Sequence, residues 1–241
     1  MLSKRILALS SSRADNSSYL EYAAWYIKNF LGSKAINIAF IPFASVDNNY
    51  TDYTNKVGIA LKGFPLTINV AMPENVRSVI EKSDAIMVGG GNTFKLLHDI
   101  YQLNLLEIIR NKVNNGAPYI GWSAGANIIG QTIGTTNDMP IIEPKSFNAL
   151  GLFPFQINPH YINQKLEGFN GETRDQRLEQ FVKLNPGISI VALPEGTALQ
   201  LKENKLKFLG EKPGVLFYDE KNFDIILRKE ITGETDLSFL L

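Results

Sequence analysis

Residues 118–127 read Pro-Tyr-Ile-Gly-Trp-Ser-Ala-Gly-Ala-Asn. Pro118–Trp122 is a short apolar run of strand length, and the spacing predicts a helix over Ala124–Ile133. Between them Gly121-Trp122-Ser123-Ala124-Gly125 fits G-x-S-x-G. A serine at a tight strand-to-helix turn holds an unusual backbone conformation, and small neighbours let the helix approach the strand. The hydroxyl then projects above the sheet, near the positive end of the helix. The amide of Ala124 would face an oxyanion forming there. The alternative is an ordinary strand–helix turn that uses glycines.

Outward from this turn, short apolar runs alternate with helical patterns. Strands are expected at Arg5–Leu9, Ala35–Phe43, Leu66–Ala71, Asp84–Val88, Phe155–Ile157 and Ile188–Leu193. Helices are expected at Ser17–Leu31, Asn92–Asn104, Leu105–Val113 and Glu172–Leu184. Such alternation implies an α/β fold: a mostly parallel sheet flanked by helices on both faces. From Thr197 onward the pattern changes to short strands, Leu199–Leu201, Leu206–Leu209, Val215–Tyr218 and Phe223–Leu227, separated by turn signals. These read as C-terminal antiparallel strands extending the same sheet. With 241 residues and no evident linker, residues 1–241 are expected to form a single domain.

Composition narrows the chemistry. Lys+Arg and Asp+Glu are both 24, so no global positive field points to nucleic acid. Cysteine is absent, which excludes disulfides, thiolate metal sites and a cysteine nucleophile. With His98 and His160 the only histidines, a His-rich zinc site is disfavoured, and neither a metal nor another cofactor is called for. The apolar run Ile6–Leu9 is too short to span a membrane and makes a poor signal segment, so the expectation is a soluble cytoplasmic protein.

In open α/β sheets ligands bind beyond the carboxyl ends of the strands. His160, in Asn158-Pro159-His160-Tyr161, lies just past an expected strand, which favours it over the mid-helix His98 as a proton acceptor for Ser123. Two carboxylates compete to orient the imidazole. Glu195 follows the strand Ile188–Leu193 and so leaves the sheet at the same edge. Asp138 follows a helix that would carry the chain about 15 Å from the serine unless the next loop returns. Geometry favours Glu195, and either can be a capping carboxylate instead.

Val88-Gly89-Gly90-Gly91-Asn92-Thr93 ends one strand and opens a helix, and it matches neither a dinucleotide fingerprint nor a P-loop. The amide of Gly90 or Gly91 is a candidate second oxyanion donor, unless the run is only a tight turn. Asn92 is a candidate helix cap or substrate-binding group. Arg174 precedes Leu178 by four residues and Phe181 by seven, so it shares their inward face. A guanidinium in a first helical turn opposes the helix dipole and calls for an anion. That anion is Asp138, Glu195 or a substrate carboxylate.

Four motifs together carry a resemblance: Val88–Phe94, Gly121–Asn127, Asn158–Tyr161 and Gly171–Arg177. In order and spacing, over about Ile6–Leu227, they resemble the peptidase E family, serine peptidases related to cyanophycinase. The resemblance implies a fold like that of class I glutamine amidotransferases, with serine in place of their cysteine. It implies a cytoplasmic serine-type exopeptidase, an α-aspartyl dipeptidase whose substrate is a small peptide with N-terminal aspartate. Ser123 matches the family's nucleophile, His160 its base, and Arg174 an arginine implicated in gripping the aspartyl side chain. The acid remains either Asp138 or Glu195, the other being free to hold the substrate α-amino group. Nucleic-acid and membrane partners are not expected, and the chain is expected as a monomer or homodimer. The alternatives are a cyanophycinase-like isoaspartyl peptidase, an esterase, or a non-enzymatic sensor that binds a small acidic ligand.

Overall fold

The strands nearest the chain start alternate their side chains between two cores, and this alternation builds the sheet. A computed structural model describes residues 3–164, 168, 170–219 and 226–241. In β1 (Ile6–Leu9), Ile6 and Ala8 face one core, and Leu7 and Leu9 the other. The same division holds in β2 (Ile36–Ile41), with Ala39 and Ile41 against Ile38 and Phe40. A strand buried on both faces needs apolar residues at successive positions, so these runs read as continuous rather than alternating.

The remaining elements follow in chain order. Helix α1 (Glu21–Leu31) precedes β2, and α2 (Tyr50–Ala60) precedes β3 (Leu66–Val70). Next come α3 (Val76–Lys82), β4 (Ala85–Val88), α4 (Thr93–Gln102), α5 (Leu106–Asn114) and β5 (Tyr119–Trp122). Then follow α6 (Ala124–Asn127), β6 (Gln156–Asn158), α7 (Arg174–Leu184), β7 (Ile190–Ala192), β8 (Ala198–Lys202), β9 (Lys205–Leu209), β10 (Gly214–Asp219) and β11 (Ile226–Ile231). One sheet has seven strands in the order β3-β2-β4-β5-β1-β8-β9. Its first five are parallel, and β8 and β9 join antiparallel. Helices α1 and α2 pack one face, through Ala23, Ile27, Phe30 and Val57, and α3 to α6 cover the other.

Three expectations change. The C-terminal strands do not all extend one sheet: β8 and β9 do, whereas β10 and β11 form a second sheet in the order β11-β10-β7-β6. In it β6 and β7 are parallel and the other neighbours antiparallel. This sheet presents Ile157, Val191, Leu193 and Leu216 to the main core and covers its outer face with α7 through Leu178 and Val182. Short strands of similar composition suit either sheet, so only packing selects. Second, α6 is a single turn rather than Ala124–Ile133; after it, backbone bonds such as Leu150 N to Ile128 O and Leu152 N to Ile129 O fold the chain back on itself. Third, α2 and α3 occupy stretches for which no helix is expected above. Of the expected strand Phe223–Leu227, residues 223–225 lie outside the described residues.

Candidate active site

Ser123 follows β5 directly, and its amide donates to Leu9 O at 3.2 Å, extending the ladder by one rung. It then turns with φ 54° and ψ −114°. Positive φ costs a side-chain-bearing residue about 1–2 kcal/mol, so the surroundings must hold it there. The glycines on either side make that possible. A Cβ on Gly121 would lie 2.2 Å from Gly125 O, and one on Gly125 would lie 2.2 Å from Val88 O. Only bare backbone lets the first turn of α6 press this closely onto β5 and β4.

His160 arrives from the second sheet. Strand β6 ends at Asn158, Pro159 stiffens the exit, and His160 takes φ 53°. Glu195 arrives from the neighbouring parallel strand, β7, by way of Leu193-Pro194. The three side chains meet in series. His160 Nε2 lies 2.8 Å from Ser123 Oγ, and His160 Nδ1 lies 2.7 Å from Glu195 Oε1. The far end is open to water, the Glu195 side chain being 50% exposed. Such a series can take a proton from a hydroxyl while stabilising the resulting imidazolium.

Asp138 is placed elsewhere. The chain does return after α6, but it delivers this carboxylate to the start of α4. There Asp138 Oδ2 accepts from Thr93 N at 2.7 Å, Thr93 Oγ1 at 2.6 Å and Thr136 Oγ1 at 3.2 Å. It caps the helix, as a carboxylate at a positive helix end does. Asn92 caps the same helix, accepting from Lys95 N, and also donates to Met139 O. His98 sits on α4 with Nδ1 at 2.9 Å from Glu143 O, away from the serine.

The glycine run brings Gly90 and Gly91 beside the serine. A Cβ on Gly90 would lie 2.8 Å from Ser123 Cβ, and Gly91 has φ 140° with its Cβ position 2.3 Å from Ala44 O. Among the described residues the amides of Gly90, Gly91 and Ala124 have no hydrogen-bond acceptor. A cavity of about 810 Å³ opens here, lined by Gly90, Gly91, Asn92, Ser123 and His160. Sequence reasoning missed much of its wall, including Arg13, Tyr19, Tyr53 and Lys56. Tyr53 donates to Gly90 O at 2.9 Å, and Trp122 Nε1 lies 3.1 Å from both tyrosine oxygens. Burial, reinforced by Tyr53, holds the Tyr19 phenol well above its ordinary range. The signal for Arg13 was available: it stands four residues past the end of β1, at the same carboxyl edge.

Arg174 opens α7, behind a capping box made by Thr173 and Gln176. It does not line the cavity. Neither carboxylate weighed as its structural partner reaches it, since Asp138 binds Thr93 and Glu195 binds His160. Nη1 is buried with no hydrogen-bond partner among the described residues. Burial first, and neighbouring Arg177 second, lower its proton affinity, while Tyr161 opposes them. Among the described residues no group of three or more acidic or histidine side chains gathers as a metal site would, and no helix is long and apolar enough to cross a membrane.

A parallel α/β sheet carrying a serine elbow, with imidazole and carboxylate delivered from adjacent strand ends, is the architecture of a hydrolase of the serine type. The particular family follows from comparison: residues 6–209 match Peptidase family S51, and the chain belongs to that family of peptidases. It is 48% identical over 238 residues to a Peptidase E from Nostoc sp., covering 95% of this chain and 98% of that one. It is 47% identical over 227 residues to a Peptidase E from Haemophilus influenzae strain PittGG, covering 92% and 97%. The fold resembles the crystal structure of a candidate Peptidase E protein from Listeria monocytogenes EGD-e, with a TM-score of 0.66 and 23% identity over 87% of this chain and 100% of that one. It also resembles a peptidase from an acI-B1 actinobacterium, with a TM-score of 0.63 and 13% identity over 99% and 98%.

Proposed function

We propose that the chain is a cytoplasmic dipeptidase that hydrolyses Asp-Xaa dipeptides through an acyl-enzyme, with Ser123 as nucleophile, His160 as general base and Glu195 as the orienting acid. The observation that carries this reading is the unbroken series from Ser123 Oγ through His160 to Glu195 Oε1. Ser123 Oγ attacks the peptide carbonyl carbon as its proton passes to His160 Nε2. The tetrahedral intermediate places its oxyanion against the amide of Ala124 and that of Gly90 or Gly91. Collapse breaks the C–N bond, and His160 hands the proton to the leaving amine. Water, deprotonated by the same imidazole, then cleaves the ester and restores the serine.

The specificity assignment is supported by Arg174. A buried guanidinium nitrogen without a partner among the described residues is costly, and although Arg174 lies outside the cavity wall, a substrate β-carboxylate brought to it would satisfy it with a charge-assisted pair. The relatives named Peptidase E support a peptidase reaction. The test is hydrolysis of a panel of X-Leu dipeptides with Ser123→Ala as control. Asp-Leu should be cleaved well above Asn-Leu and Ala-Leu, and Ser123→Ala should abolish turnover. Preference for β-Asp-Arg or a short ester over Asp-Leu would refute the substrate assignment. Retained turnover in Ser123→Ala would refute the mechanism.

A further inference from the structure

The nucleophile stands on one sheet, whereas the base and the acid stand on the other. Their alignment therefore depends on whatever locks the two sheets together at this edge. One side chain that does so directly at the His160 backbone is Ser10, one residue past β1 and fully buried. Its hydroxyl accepts from His160 N at 3.0 Å and donates to Leu193 O at 2.7 Å. Its own amide donates to Thr197 O at 2.9 Å, and the preceding Leu9 O receives the Ser123 amide. One residue thus touches the backbone of the imidazole-bearing loop and of the segment leading to Glu195, and it adjoins the rung that seats the nucleophile. Leu193 is further tied to the base loop, since its amide donates to Asn158 O and its carbonyl accepts from Tyr161 N, both at 2.9 Å.

We propose that Ser10 is a positioning residue for the peptidase reaction: its hydroxyl holds His160 at positive φ and in register with Ser123 and Glu195. This inference rests on the serine-peptidase reading above. His160 keeps φ 53° without being glycine, so its peptide relaxes toward ordinary negative φ unless its N–H is held. The Ser10 oxygen is that anchor, and its proton is already committed to Leu193 O, which fixes the direction of the accepting lone pair. Removing the hydroxyl leaves the buried His160 N–H without an acceptor, while Leu193 O keeps only the Tyr161 amide. The imidazole then swings away from the nucleophile while the cavity wall that would hold the substrate stays as it is.

The test needs no assumption about the substrate. A fluorophosphonate labels the nucleophile as the Oγ–P bond forms, the P–F bond breaks and the serine proton passes to His160, so its labelling rate reports alignment directly. Ser10→Ala should label about 10- to 100-fold more slowly than the parent chain. A second readout comes from the proton NMR signal of His160 Nδ1–H, shifted to low field by Glu195. With two histidines in the chain, assignment against His98→Gln is direct. In Ser10→Ala this signal should broaden or move while the circular dichroism spectrum stays native. If Ser10→Ala does not fold, Ser10→Cys, of similar volume but a poorer acceptor, should show both effects. Labelling at the parental rate with an unmoved signal would overturn the inference. So would slowing that only tracks the unfolded fraction, or failure of both variants to fold, either of which assigns the hydroxyl to the fold alone. A Ser123→Ala chain that still labels, or a parent chain that does not label at all, would instead defeat the serine reading on which the inference stands.

Discussion

Replacing Glu195 by Gln and, separately, Asp138 by Asn distinguishes a carboxylate that serves the imidazole from one that caps a helix. In Glu195→Gln the 2.7 Å contact to His160 Nδ1 loses its charge. A hydrogen bond to a charged group contributes about 1.5–3 kcal/mol, and partial exposure of both side chains, 38% and 50%, screens it toward the lower half of that range. About 2 kcal/mol withdrawn from the transition state, where the imidazolium forms, slows kcat roughly 30-fold. The glutamine amide can also donate to Nδ1, which stabilises the tautomer with its proton on Nε2, the wrong one for accepting from Ser123. That adds to the loss and brings the expected range to about 30- to 1,000-fold. KM should change little, because Glu195 meets the imidazole rather than the peptide. In Asp138→Asn the acceptor for Thr93 and Thr136 weakens, which should cost about 0.5–1 kcal/mol of stability and little activity. Steady-state kinetics on Asp-Leu, with melting curves for each variant, make the comparison. A Glu195→Gln enzyme as active as the parent, beside a folded but inactive Asp138→Asn enzyme, would refute the assignment.

Other perturbations test the same geometry. Arg174→Met should lower kcat/KM for Asp-Leu far more than for Ala-Leu without lowering the melting temperature, because Nη1 of the guanidinium lost has no partner among the described residues to leave behind; equal losses on both substrates would reject its specificity role. Gly125→Ala places a methyl 2.2 Å from Val88 O, where backbone cannot yield, so it should destabilise the fold by about 1–3 kcal/mol or more in denaturant melts. Burial pushes the Tyr22 phenol up to about 12, so the folded chain keeps a proton that the unfolded chain releases from about pH 10. Stability should therefore fall as pH rises from about 10 to 12, by roughly 2–3 kcal/mol from this residue. Tyr22→Phe should flatten that part of the alkaline unfolding curve, and an unchanged slope would contradict the assignment.

The parts of the site legible in the sequence are those whose geometry is local. G-x-S-x-G after an apolar run already specifies a strand, a strained serine and a close-packed turn, and Ser123 has that conformation. His160 and Glu195 stand just past apolar runs, so the strand-end rule located them without coordinates. Asp138 shows where local reading fails: its argument assumed a helix to Ile133, but α6 ends after one turn. The residue pattern of 128–133 does not by itself fix that end, because Ile128, Ile129 and Ile133 are buried by packing with distant segments such as Leu150 and Phe155. Helices α2 and α3 were equally hidden, since their apolar residues are sparse and their caps, Asn49 and Asn75, look like loop residues.

The amino-acid sequence alone determined the parallel α/β class, the serine turn and the strand-end histidine, because steric demands at glycine and apolar continuity act within a few residues. Only the tertiary structure decided that β6, β7, β10 and β11 form a separate sheet, that Glu195 rather than Asp138 meets the imidazole, and that the Ser10 hydroxyl joins the two halves of the site. Those outcomes depend on which distant surfaces pack together. Residues 10, 123, 160 and 195 share no local pattern, and their meeting is a property of the buried core between the sheets.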